Sequence, residues 1–131
     1  MYSPPSPEGR RIVICDYNAL LLSVTGLLRM SGYCVFQAHD GQAADELCRE
    51  LPDIELLVLN TLGTGSDTPS LIRTVRASHP GLPVLHIGSS VAGLPADVPT
   101  LAESFTADEL LRTVAKLCDG APKKGLTLER N

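Results

Sequence analysis

The chain has 131 residues, a formal charge of −4, no Trp, three Tyr and two Phe. That length supports one domain burying roughly 70% of its unfolded surface. The mild charge, with no Lys/Arg run longer than a pair, excludes a nucleic-acid footprint, and the few aromatics exclude a stacking platform for single strands.

No apolar run approaches the ~18 residues of a membrane span, and the first residues do not read as a signal peptide. A cytoplasmic protein with no membrane contact is therefore expected. The cysteines Cys15, Cys34, Cys48 and Cys118 form no CxxC pair, and three fall in apolar segments. They read as reduced core residues rather than metal ligands.

Taken in order, residues 1–9 (MYSPPSPEG) carry three prolines and read as a disordered tail. Ile12-Val13-Ile14-Cys15 predicts a strand buried on both faces, ending in Asp16. Asn18 is placed to cap a helix whose buried face takes Leu20, Leu21, Val24, Leu27 and Leu28, and Ser31-Gly32-Tyr33 stops it. Cys34 to Ala38 gives a second strand. Asp40-Gly41 opens a helix with Ala43, Ala44, Leu47, Cys48 and Leu51 inward, closed by Pro52.

Leu56-Leu57-Val58-Leu59 is the central strand, and Asn60 stands at its C-terminal end. In an open parallel sheet that edge is where ligands bind. Thr68 and Pro69 read as N-cap and first residue of a helix with Leu71, Ile72 and Val75 inward, broken at His79-Pro80-Gly81. Residues 82–87 give a fourth strand. The stretch from Gly88 to Thr100, with Pro95 and Pro99, is too broken for a long helix. Leu101-Ala102 allows a short edge strand. Thr106 and Glu109 form a capping box before a last helix that buries Leu110, Leu111, Val114 and Cys118. Residues 119–131 read as a flexible tail.

Strands alternating with helices predict an α/β fold, flavodoxin-like and doubly wound, with five parallel strands in the order 2-1-3-4-5. That order gathers Asp16, Asn60, Gly88-Ser89-Ser90 and Glu103 at one edge.

From about Arg11 to Leu117 the chain resembles the receiver domain of bacterial two-component response regulators. The resemblance rests on IVICD, SGY, AHDGQAA, LLVLN, LPV and SFTADELL, in that order and at the expected spacing. It implies a receiver-like domain over residues 10–118 that works in two-component or phosphorelay signalling. It also implies protein partners, among them a histidine kinase or an output domain.

The family's chemistry uses an aspartate ending strand 3, two acids after strand 1 that hold Mg²⁺, a Thr or Ser ending strand 4 and a Lys ending strand 5. Carried over by position, the phospho-acceptor falls on Asn60, the acidic pair on Asp16 and Tyr17, the hydroxyl on Gly88 and the lysine on Glu103. Only Asp16 fits. An amide cannot form an acyl phosphate, and Tyr17 removes one Mg²⁺ carboxylate. Glu103 reverses the charge meant to meet phosphoryl oxygens. Ser89 or Ser90 stands in for the missing hydroxyl if the register slips.

The resemblance therefore points to a pseudo-receiver: no catalytic residue, no cofactor, and Asp16 the one metal ligand if any metal binds. The family's helix between strands 4 and 5 is expected to be shortened or missing, since only fourteen residues separate Gly88 from Glu103. Its aromatic switch position is Thr100. That shortening is expected to uncover part of the third helix or the strand 4 edge, giving a homodimer or a docked partner there.

Bland readings compete with other features. The stretch 63–68 leads into a helix, and its N–H groups suit a phosphate-bearing ligand. A flavodoxin-like small-ligand or nucleotide binder using that loop is the alternative function, although the P-loop lysine is absent and an ordinary loop is the simpler reading. His86 reads as a hydrogen-bonded core histidine rather than a ligand.

Overall fold

The computed structural model describes residues 9–16, 22–51, 53–60, 68–89 and 91–120. The elements run β1 (Arg11–Cys15), α1 (Leu22–Met30), β2 (Cys34–Ala38), α2 (Gly41–Glu50), β3 (Ile54–Asn60), α3 (Thr68–Ser78), β4 (Val84–Ile87), β5 (Thr100–Leu101) and α4 (Ala107–Gly120). All five strands are parallel, in the order β2-β1-β3-β4-β5. This is the flavodoxin-like architecture that the alternation predicts.

The unbroken apolar runs follow from burial on both sides of the sheet. Along β1, Ile12 and Ile14 face one core with Val24, Leu28, Leu110, Val114 and Cys118, from α1 and α4. Val13 and Cys15 face the other with Ala44, Cys48, Ile72 and Val75, from α2 and α3. Ile12, Val13, Ile14 and Cys15 are all fully buried. Truncating one of the large side chains, such as Leu57 or Leu85, to Ala costs about 2–5 kcal/mol.

Local signals set the helix ends. Asp40 caps α2, its carboxylate accepting from the Ala43 N–H at 2.8 Å. Before α4, Thr106 Oγ1 accepts from the Glu109 N–H at 3.0 Å while Glu109 Oε1 accepts from the Thr106 N–H at 2.9 Å. Gly32, at φ 104°, ends α1: its N–H donates to Arg29 O and the Tyr33 N–H to Leu28 O. Both bonds need the left-handed backbone that glycine adopts freely, and Tyr33 then packs with Leu28.

Several boundaries differ from the sequence reading. On α1, Val24, Thr25 and Leu28 are buried and Leu27 is partly so, whereas Asn18, Leu20 and Leu21 lie outside the described residues. The third helix begins at Thr68 itself. The fourth strand starts at Val84, with Pro83 ahead of it giving its carbonyl to the Leu57 N–H. The last strand sits one residue earlier than expected, because the His86 and Gly88 N–H groups take the carbonyls of Pro99 and Leu101.

No helix occurs among the described residues between Gly88 and Thr100. The segment expected to uncover part of α3 or the β4 edge packs against both over part of their length. Val98 is buried, and Leu94 packs against the same core as Ile72 and Val75. Arg76 on α3 holds Asp97 through two hydrogen bonds, at 2.7 and 3.2 Å. β5 pairs with β4 at His86 and Ile87. The described residues of this strap, 91–99, thus pack against α3 and lead into the strand beside β4.

Cys15, Cys48 and Cys118 are buried free thiols, and Cys34 is exposed. Among the described residues no helix is long and apolar enough to cross a membrane. Residues 1–8 and 121–131, with most of the predicted tails, lie outside the described residues.

Candidate functional site

The strand register carries the predicted site residues to one edge of the sheet. Cys15 lies level with Leu59, so Asp16 follows at the height of Asn60, and Asn60 itself is opposite Ile87. Ile87 in turn is opposite Leu101, which leaves Gly88 and Glu103 just beyond. Asp16 and Asn60 are buried and Glu103 is exposed. Ser89 follows Gly88 on the surface, whereas Tyr17, Ser90 and Gly63 to Asp67 lie outside the described residues.

Asn60, Gly88 and Glu103 enclose one small volume. A Cβ added at Gly88 would lie 3.5 Å from Asn60 Nδ2 and 3.7 Å from Glu103 Oε2. Both are ordinary van der Waals separations, so a Cβ fits there. The backbone is what departs: Gly88 has φ +132°, a conformation that side-chain-bearing residues rarely adopt. The Asn60 amide donates from Nδ2 to Ile87 O at 3.0 Å, across the β3–β4 boundary. The Asp16 N–H donates to Ala38 O at 2.8 Å, holding the end of β1 to β2.

The donor set is a poor match for Mg²⁺, the cation that the resemblance implies. A hard cation asks for several oxygen ligands with carboxylates among them. Here one buried carboxylate, Asp16, stands beside an amide, and the acid at position 103 approaches from the solvent side. Among the described residues no group of three or more His, Cys, Asp or Glu side chains is placed to hold a metal. Burial, with Asp40 and Asp16 adding to it, pushes the Cys15 thiol up to about 12. It stays protonated and is no nucleophile at neutral pH.

Two residues back on β4, His86 is fully buried, and its Nδ1 shares a hydrogen bond with Thr100 Oγ1 at 3.2 Å. Burial lowers its pKa below the usual histidine value. The core reading of His86 and the switch position at Thr100 thus meet in one pair. Sequence reasoning treated them separately, and their parallel register, His86 opposite Thr100, is the signal that joins them. The Asn60–Ile87 bond was also missed. Its sequence signal is an amide at one strand end with a glycine after the neighbouring strand.

No protein-family profile matches the chain. It is 32% identical over 124 residues to the response regulator MprA of Mycobacterium tuberculosis, an alignment that covers 82% of this chain and 50% of the relative. The chain thus spans about half the length of the curated MprA relatives it matches. Among solved structures, the receiver domain of the hybrid histidine kinase CckA is 28% identical, with a TM-score of 0.69 over 84% of this chain and 99% of that one. A putative response regulator from Chloroflexus aurantiacus has a TM-score of 0.72 at 24% identity, covering 84% and 98%. In sheet order and helices the chain has the flavodoxin-like fold of receiver domains, and in sequence it is similar to response regulators and to the CckA receiver domain.

Proposed function

We propose that this domain signals in a two-component or phosphorelay system without being phosphorylated, through contacts with other proteins. The observation that carries this reading is the chemistry at the acceptor position. Asn60 offers an amide with no anionic oxygen to attack phosphorus, and that amide is committed to Ile87 O. By the positions that the resemblance carries over, Glu103 takes the lysine's place and Gly88 brings no hydroxyl. Tyr17, by sequence, takes the place of the second acid. A phosphoryl group at this edge would face like charge with no cation to offset it. Partners in this reading are a histidine kinase, an output domain or a second copy of the chain.

The test is intact mass after acetyl phosphate with Mg²⁺. The wild-type chain is expected to gain no phosphoryl group. Asn60→Asp alone is expected to gain none either, because the new carboxylate joins Asp16 and Glu103 with no added cation. Asn60→Asp combined with Tyr17→Asp and Glu103→Lys restores both the Mg²⁺ acid and the cation, and uptake is expected there. Uptake by the wild type would overturn the reading. Uptake by the single variant would show that Glu103 and Tyr17 do not block the chemistry.

A further inference from the structure

We propose that Asn60 is a positioning residue that locks the turn leaving β4, so that this edge of the sheet stands in one fixed conformation. The inference deepens the reading above and rests on it.

The geometry supplies the lock from three sides. From β3, Asn60 Nδ2 donates to the carbonyl of Ile87, the last residue of β4, in a buried bond spanning 27 residues of sequence. From β5, the carbonyl of Leu101 accepts the next N–H, that of Gly88, at 2.8 Å. Between those bonds Gly88 takes φ +132°. Further along, Arg76 holds Asp97, and Arg76 also donates to Leu82 O through Nε and Nη2, at 2.9 and 2.8 Å. One guanidinium thus ties the strap to the segment entering β4.

The choice of amide is specific. An ionised carboxylate at position 60 has the same shape but no proton, so it would set an oxygen against the Ile87 carbonyl oxygen. A buried acceptor that loses its donor costs free energy, and two facing acceptors cost more. Asparagine here does more than lack an acid: it supplies the donor that the local backbone is arranged to receive.

The test uses ¹⁵N-labelled protein and reads two quantities: the hydrogen-exchange protection factor of the Gly88 amide, and microsecond-to-millisecond relaxation dispersion over the described residues of 86–101. In the wild type, Gly88 is expected to be strongly protected and the segment free of dispersion. Asn60→Asp is expected to lower Gly88 protection about tenfold at pH 7, the loss of one buried hydrogen bond. It should also introduce dispersion in the segment. Protection should return toward the wild-type value at acidic pH, where the introduced carboxyl is protonated and can donate. A merely space-filling residue would give no such pH dependence.

The lock is overturned if Gly88 protection in Asn60→Asp stays within about twofold of wild type at pH 7. It is equally overturned if the loss is the same in acid. Should the variant not fold, the wild-type dispersion alone decides, and a second conformer exchanging at residues 86–101 refutes the lock. Phosphoryl uptake by the wild type would count against the proposed function, while Gly88 protection and the dispersion decide the lock.

Discussion

At the scale of single residues, the edge of the sheet is adapted as well as depleted. Gly88 shows this most clearly. A Cβ placed there, the first atom of a restoring Gly88→Thr, would have only ordinary contacts. The obstacle is the backbone at φ +132°, which a β-branched residue adopts only under strain. His86 gives a residue-scale prediction about pH. Burial lowers its pKa below the ordinary 6.5, so the folded state keeps the ring neutral where the unfolded chain takes a proton. Below the unfolded value the unfolded state binds more protons, and stability falls as pH drops. The loss begins near pH 6.5, ends at the folded pKa and is bounded by one proton, about 1.4 kcal/mol per pH unit. Urea unfolding of wild type and His86→Gln between pH 7 and 5 checks this. The variant should show the shallower slope, and equal slopes would remove His86 as the source.

At the scale of elements, what was legible in the sequence were signals that act within a few residues. The doubly buried strands announce themselves as apolar runs, and the capping residues Asp40, Thr106 and Glu109 make the bonds that their spacing predicts. Strand ends also placed Asp16, Asn60, Gly88 and Glu103 at one edge. Contacts between residues distant in sequence were not legible. The proline-broken segment after β4 predicts a partly uncovered α3 or β4 edge, because nothing local foretells that Asp97 finds Arg76 or that Val98 turns inward. That contact carries a prediction. Asp97 is 65% exposed, so Asp97→Asn removes a solvent-screened ion pair and should cost less than about 1 kcal/mol. Arg76→Ala also strips the Leu82 carbonyl of its donor and should cost about 1–3 kcal/mol. Chemical denaturation of both variants measures the ordering. An equal cost would mean that the Leu82 contact contributes nothing.

At the scale of the whole molecule, the sheet separates two polar clusters that do different work. The candidate site occupies the C-terminal edge of the strands. At the opposite edge, Arg10 reaches Glu55 at the start of β3 at 3.6 Å and Asp119 near the end of α4 at 3.0 Å. Its carbonyl accepts from the Cys34 N–H at the start of β2. One residue therefore fastens β1, β2, β3 and α4 together. Between the two edges runs the length of β1, roughly 16 Å, filled by fully buried apolar side chains. Side chains that far apart with no shared partner perturb stability independently. Arg10→Ala should cost about 1–3 kcal/mol by leaving the half-buried Glu55 without this cation. Gly88→Ala should cost a similar amount, about 1–3 kcal/mol, through strain at positive φ. The double variant should then equal the sum of the two losses within about 0.5 kcal/mol. Urea denaturation of the four proteins of the cycle makes the measurement. A coupling well above that bound would mean that the two edges communicate through the sheet, and that the turn after β4 responds to how the far end of the molecule is held.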